Sequence, residues 1–142
     1  MKLEPHQVII IQISASAHSE ITKELEAQGL TEDENYLFFN RFDHDVLDHI
    51  EPGIPQLVFT SHANGCDAET VADGIKGKNP QAFVVALTSC RVSNSVRAKL
   101  DGVFDKFHLP EHTLARIIHN FLSGADRKKI LTHIGAFSSQ PE

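Results

Sequence analysis

The chain has 142 residues, of which 41% are hydrophobic and 23% are charged, and it carries a formal net charge of −6. This size and composition predict one globular domain with its own core, and the negative charge argues against a nucleic-acid-binding surface, since the sole basic run is Arg127-Lys128-Lys129. The N-terminal MKLEPH lacks an apolar signal core and no apolar run reaches the roughly 20 residues of a membrane span, so we expect a cytoplasmic protein that does not contact a membrane.

Five apolar runs of strand length recur along the chain, and most are continuous rather than alternating. Continuous runs are typical of strands that are covered on both faces, as in a parallel sheet flanked by helices. The predicted strands are Val8–Ser14, Tyr36–Phe39, Leu57–Thr60, Ala82–Thr88 and Val103–Phe107.

Segments of helical periodicity separate these strands. The predicted helices are about Ser19–Gln28 before Gly29, Asp45–Ile50, a third capped by Asp67 and ended by Gly77, Asn94–Leu100, and a fifth between Pro110 and Gly124. The alternation of strand and helix predicts an α/β fold, a three-layer sandwich around a five-stranded parallel sheet, over residues 5–124.

The C-terminal segment 125–142 carries scattered apolar residues, namely Ile130, Leu131, Ile134 and Phe137. Their spacing suits a short helix docked on the domain, and a polar linker remains the alternative. The polar loops that follow the strands should meet at one edge of the sheet, where α/β proteins form their sites. These loops are Ser14–Ser19, Asn40–Asp45, Ser61–Asp67, Ser89–Ser93 and Lys106–Leu109.

Several segments carry a family resemblance in the correct order and spacing. VVALTS ends a strand in Thr88, DGVFDKF ends the next in Lys106, LPEHTLARIIHNFL continues into the last helix, and PQLVFTS forms the third strand. Over residues 7–124 the chain resembles the receiver domain of response regulators. The resemblance implies a flavodoxin-like sheet of order 2-1-3-4-5 and a place in two-component signalling or a phosphorelay.

Receiver domains use an acidic pair after the first strand to hold Mg²⁺ and an aspartate after the third to accept a phosphoryl group. Carboxylates suit both tasks, and a hydroxyl and a lysine then contact the phosphoryl oxygens. This sequence lacks those acids, so the resemblance predicts a pseudo-receiver that works without catalysis, phosphorylation or a cofactor. The altered pocket positions are Gln12, Ile13, Ser14 and Ser61, and the retained positions are Thr88 and Lys106.

Lys106 loses its usual carboxylate partner in this pocket. An ammonium buried without a counter-charge is costly. We therefore expect Lys106 to bond backbone carbonyls or Ser61, to extend into solvent, or to pair with Asp105, Asp43 or Asp45.

The resemblance also implies a surface for protein partners. Receiver domains contact partners and dimerise through the fourth helix, fifth strand and fifth helix, which correspond here to residues 93–122. A homodimer through this face is one expectation. The candidate exposed residues are Arg91, Arg97, Lys99, Glu111, His112 and Arg116.

Two ligand-binding alternatives remain open. SASAHSE resembles the FMN phosphate loop of flavodoxins through Ser14, Ser16 and Ser19, although it lacks a glycine, and these serines could instead cap the first helix. A Zn²⁺ site could form at the same edge, although the chain has no HxH, HExxH or CxxC spacing. Its candidate ligands are His18, His44, His62, His108, Cys66 and Cys90.

Enzyme activity is not predicted. The chain has no G-x-S-x-G motif, and the neighbours Ser61 and His62 would diverge at a strand end. A receiver phosphorylated at a non-standard residue is a further alternative.

Overall fold

Five segments form one parallel sheet in a computed structural model of the chain, which describes residues 7–63, 65–106 and 108–139. The strands are β1 Val8–Ile11, β2 Leu37–Phe39, β3 Leu57–Thr60, β4 Phe83–Thr88 and β5 Gly102–Asp105. Their order is β2-β1-β3-β4-β5, and every pairing is parallel. The predicted sheet is confirmed. Predictions for residues 1–6, 64, 107 and 140–142 lie outside the described residues.

Six helices connect and flank the strands within the described residues, and none of them is long and apolar enough to cross a membrane. They are α1 Ala15–Ala27, α2 His44–Leu47, α3 Ala68–Lys78, α4 Asn94–Arg97, α5 Thr113–Leu122 and α6 Arg127–Phe137. The short second and fourth helices end about three residues earlier than predicted, and turns continue to Ile50 and Leu100.

Two other predicted boundaries, those of the first and third helices, are wrong for local reasons. The first helix begins at Ala15 rather than Ser19 because Ser14 caps it, its Oγ accepting from the Ala17 N–H at 3.3 Å. This cap also ends the first strand before Ser14. The third helix runs through Gly77 to Lys78, since Gly77 has a helical conformation and open space around it.

The sheet is covered by apolar layers on both faces. Val8 and Ile10 of β1 face a cluster with α1, α5 and α6, whereas Ile9 and Ile11 face a cluster with α2 and α3. Successive side chains of a strand point to opposite faces, so a continuous apolar run serves both layers. This arrangement is the predicted three-layer sandwich.

The C-terminal helix α6 packs into the same core as α5. Ile130 and Ile134 are fully buried, in one cluster with Phe121. A Cβ atom at Gly102 would overlap Cγ2 of Ile134, so the bare backbone of β5 lets α6 approach closely. Of the two alternatives for the tail, the structure has the docked helix.

The residues after α6 cover the outer edge of β5. The Val103 N–H donates to Ser138 Oγ at 2.8 Å, and the Ser139 N–H donates to the Val103 carbonyl at 2.7 Å. The Arg97 guanidinium donates to the carbonyl oxygen and to Oγ of Ser139 at 2.9 and 3.0 Å. The chain thus pairs this sheet edge with its own C-terminal residues.

One histidine at the contact between α5 and α6 predicts that the stability of the fold depends on pH. Asn120 donates to Nδ1 of His133 at 3.1 Å, so the ring must be unprotonated on that atom. Burial lowers the pKa of His133, and the positive charges of Arg116 and Lys129 lower it further. The unfolded chain therefore binds a proton more readily at this residue, and stability is lost as the pH falls below about 6.5.

The variant His133→Gln should remove this pH dependence while keeping an acceptor for Asn120. We expect the wild-type chain to lose more stability than the variant when urea unfolding is repeated at pH 7.5 and pH 5. The other titrating groups are common to both chains, so the difference reports on His133. An equal loss in both chains would contradict the assignment.

Candidate functional site

Two neutral polar side chains lie where β1 and β3 end, at the point where the strand order reverses. Gln12 and Ser61 are each 4% exposed. Ser61 Oγ donates to Gln12 Oε1 at 2.9 Å, and the Ser14 N–H donates to the same oxygen at 3.1 Å. A backbone N–H can only donate, which determines the orientation of the Gln12 amide.

This pair has little of the chemistry of a phosphorylation site. Amide and hydroxyl oxygens are weaker Mg²⁺ ligands than carboxylates, and a serine bonded to an amide has no base to activate it. Ile13 is 37% exposed and adds no polar side chain. Gln12 and Ser61 instead join the ends of two neighbouring strands.

The Thr88 hydroxyl is also occupied by structural hydrogen bonds. It donates to the His62 carbonyl at 2.9 Å and accepts from the Cys90 N–H at 2.9 Å. His62 in turn caps α3, because its Nδ1 accepts from the Ala68 N–H at 3.0 Å. That atom then carries no proton, so its 3.5 Å approach to Asp67 is not an ion pair. The Thr88 hydroxyl therefore links the loop that follows β3 to the loop that follows β4.

Lys106 follows β5 and is exposed. Its ammonium forms no hydrogen bond or ion pair with any described residue. Of the arrangements expected for Lys106, the structure therefore has the one in which the side chain extends into solvent. Two of the acids considered as partners are engaged elsewhere: Asp105 bonds His108 Nδ1 at 2.8 Å, and Asp43 pairs with Arg41 at 2.8 Å.

Three carboxylates share a shallow groove with Lys106. The groove has a volume of about 220 Å³ between α1 and the start of α5, and its charged lining is Glu20, Glu24, Glu111 and Lys106. None of these acids pairs with Lys106 in the described structure.

Among all the residues that the structure describes, one group of three acidic or imidazole side chains is close enough to share a metal ion. It consists of Asp43, His44 and Asp45, just after the end of β2.

The histidines considered for zinc do not converge. His18 Nε2 lies 2.9 Å from Glu32 Oε1, and its ring stacks on Phe38 at 3.6 Å. His62 caps α3 and His108 bonds Asp105. Both cysteines are free thiols, and burial raises the pKa of Cys66. The serine-rich loop caps α1, as one of its two interpretations predicted.

The predicted partner surface is only partly open. Arg97 was predicted to be exposed, but its guanidinium is used to hold Ser139. His112 is half-buried, and its backbone N–H donates to Glu24 Oε1 at 2.7 Å. This hydrogen bond links the start of α5 to α1. Since α6 and the residues after it cover β5, residues 93–122 do not form one continuous free face. The candidates that remain exposed are Arg91, Lys99, Glu111 and Arg116.

Lys99 is exposed but already paired within the chain. Its ammonium lies 2.9 Å from Glu69 and 3.2 Å from Asp73. These hydrogen bonds raise the pKa of Lys99. Lys99 is therefore less available to a partner protein than its exposure alone suggests.

No protein-family model matches the sequence, and no curated protein matches it. Solved structures do match its fold. The response regulator DrrB from Thermotoga maritima, an OmpR/PhoB homolog, aligns with 84% of this chain at 16% identity and a TM-score of 0.59. The isolated REC domain of RcsB from Salmonella enterica serovar Typhimurium aligns with 85% of it at 15% identity and a TM-score of 0.57. The chain has the receiver fold.

The extent of the matches differs between these structures. The alignment covers 54% of DrrB, so the chain spans about half of that protein's length, and it covers 91% of the RcsB domain. A Burkholderia pseudomallei protein, named as related to pilus assembly, matches with a TM-score of 0.56 at 13% identity. That alignment covers 100% of both chains, so it extends over the receiver fold and the C-terminal segment.

Proposed function

We propose that this receiver fold is a non-catalytic signalling or regulatory module that acts through protein–protein contact and without phosphorylation at Ser61. The observation that supports it is the 2.9 Å hydrogen bond between Ser61 and Gln12. It occupies the position where the resemblance places the phosphoryl acceptor and the acids for Mg²⁺.

The energetics of phosphoryl transfer explain why this bond matters. A transferred phosphoryl group needs a metal ion and cationic groups to neutralise its charge. The nearly buried Gln12 amide and Ser61 hydroxyl provide neither, and Lys106 extends into solvent. The Thr88 hydroxyl, which the resemblance places beside the phosphoryl oxygens, is already bonded to two loops.

Protein contacts are the remaining means by which such a module could signal. We place them on the exposed charged side chains of residues 91–122, for which Arg91, Lys99, Glu111 and Arg116 are the candidates. A homodimer through residues 93–122 would have to form beside the strip of β5 that the C-terminal residues cover.

Incubation with acetyl phosphate and Mg²⁺, followed by intact-mass measurement, tests this proposal. We expect the mass to stay unchanged under conditions in which an active receiver domain, treated in parallel, gains one phosphoryl group. A stoichiometric adduct that disappears in Ser61→Ala would overturn the proposal. An adduct that persists in Ser61→Ala would show phosphorylation at a different residue and would equally contradict a phosphorylation-independent module.

A further inference from the structure

The two edge strands of the sheet differ in whether their outer backbone groups are hydrogen-bonded. Ser138 and Ser139 cover the outer edge of β5. The other edge strand, β2, pairs only with β1 among the described residues. An unpaired edge offers backbone donors and acceptors to another strand, and proteins usually block such edges. The open edge of β2 therefore needs an explanation.

The register shows which groups of β2 point outward. Phe39 accepts through its carbonyl from the Gln12 N–H at 2.9 Å, and alternate residues of a parallel strand bond the same neighbour. Leu37 and Phe39 therefore face β1, whereas the N–H and C=O of Phe38 face away from the sheet. No described residue bonds these two groups. Asn40 continues the alternation and is exposed.

The part of the chain that contains this edge strand is strongly negative. Residues 15–51, which comprise α1, β2, α2 and their loops, contain ten acidic and two basic residues, a net charge of −8 in a chain whose total is −6. Like charges would oppose pairing between the β2 edges of two copies, whereas a cationic partner would be attracted. The rest of the chain has a net charge of +2.

The surroundings of β2 also offer contacts for alternating side chains. Its three residues are half-buried rather than covered. A depression of about 430 Å³ lies where the strand ends, and its lining includes Asn40, Asp43 and Asp45. Asp43 already pairs with Arg41, whereas Asp45 is exposed and, among the described residues, its carboxylate has only His44 within ion-pair distance. A lysine or arginine of an added strand could reach the Asp45 carboxylate.

We propose that the open edge of β2 is the docking site for an extended segment of a partner protein that carries lysine or arginine at alternate positions. Backbone hydrogen bonds to Phe38 and Asn40 would hold the segment, and the acidic surroundings would select its charge. This deepens the proposed function by naming the kind of partner and the surface it uses.

Titration of the full ¹⁵N-labelled chain with a peptide of alternating lysine and valine, monitored by NMR, tests the proposal. We expect saturable amide shifts at residues 37–41 and no binding of a glutamate–valine peptide. Asn40→Pro removes one outward N–H at a position where β1 is not the partner, and Asn40→Ala is its matched control. Loss of that hydrogen bond should weaken binding about tenfold relative to Asn40→Ala.

A second pair of variants separates specific docking from general attraction. Asp45→Lys should weaken peptide binding, whereas Asp126→Lys, an equal charge change at the start of the helix that packs on the opposite edge strand β5, should leave it nearly unchanged. Equal binding by Asn40→Pro and Asn40→Ala, or shifts that avoid residues 37–41, would overturn the proposal. Shifts at these amides that grow with protein concentration without peptide would assign the edge to a second copy and overturn it as well. None of these results changes the mass measurement, so the two proposals fail independently.

Discussion

Replacing Ile134 by alanine is expected to lower the free energy of unfolding by about 2–5 kcal/mol. Ile134 is fully buried between α6 and β5, directly above Gly102. Alanine would leave a cavity there, because Gly102 has no side chain that could move to fill it. Urea unfolding of the full chain, followed by circular dichroism, measures the change.

The matched control is Leu131→Ala, three residues earlier on the same helix. Leu131 is 36% exposed, so its truncation should change stability by only about 0.5 kcal/mol. Amide hydrogen exchange provides a second readout, since loosening of α6 should also expose the Val103 N–H that Ser138 protects. Similar values for Ile134→Ala and Leu131→Ala would contradict the view that α6 belongs to the core.

Replacing Gln56 by leucine is expected to cost about 3 kcal/mol or more, because several buried polar groups would lose their partners together. Gln56 and Asn79 are both fully buried. Gln56 Nε2 donates to the His49 carbonyl at 2.7 Å, and its Oε1 accepts from the Glu51 N–H and from Asn79 Nδ2, each at 3.1 Å. Leucine has a similar volume but satisfies none of these groups.

Gln28→Leu is the control, since Gln28 is exposed at the end of α1 and leucine there should have little effect. Thermal and urea unfolding of both variants provides the comparison. The loop before β3 should also become more accessible to proteolysis in Gln56→Leu, because this network ties it to Asn79 at the end of α3. Equal stability of Gln56→Leu and Gln28→Leu would show that water replaces the lost hydrogen bonds.

The chemistry of the candidate site could largely be anticipated from residue types. Gln12 and Ser61 are neutral, and their place after two apolar runs follows from the chain order. The partners of Thr88 could not be anticipated, and the sequence left several arrangements of Lys106 open. Thr88 bonds the carbonyl of His62, 26 residues away, and Lys106 has an orientation that depends on how its neighbours pack. Hydrogen bonds between loops leave no periodic signal in a sequence.

The predicted partner surface is a second case in which the sequence could not predict a contact between distant residues. Arg97 has the composition and position of an exposed contact residue, yet it bonds Ser139, which lies 42 residues further along the chain. No local pattern connects these two residues. The spacing of Ile130 and Ile134 suggests a helix with one apolar side, but it does not say which strand that side covers.

Strand number, parallel pairing and the two buried faces of the sheet follow from the apolar runs, because burial on both sides requires unbroken hydrophobic segments whatever else the chain does. The covered edge of β5 and the buried Gln56 network depend on contacts that form only after distant segments meet. Their free energy comes from satisfying backbone and amide groups that no longer reach water, and that requirement exists only in the packed fold.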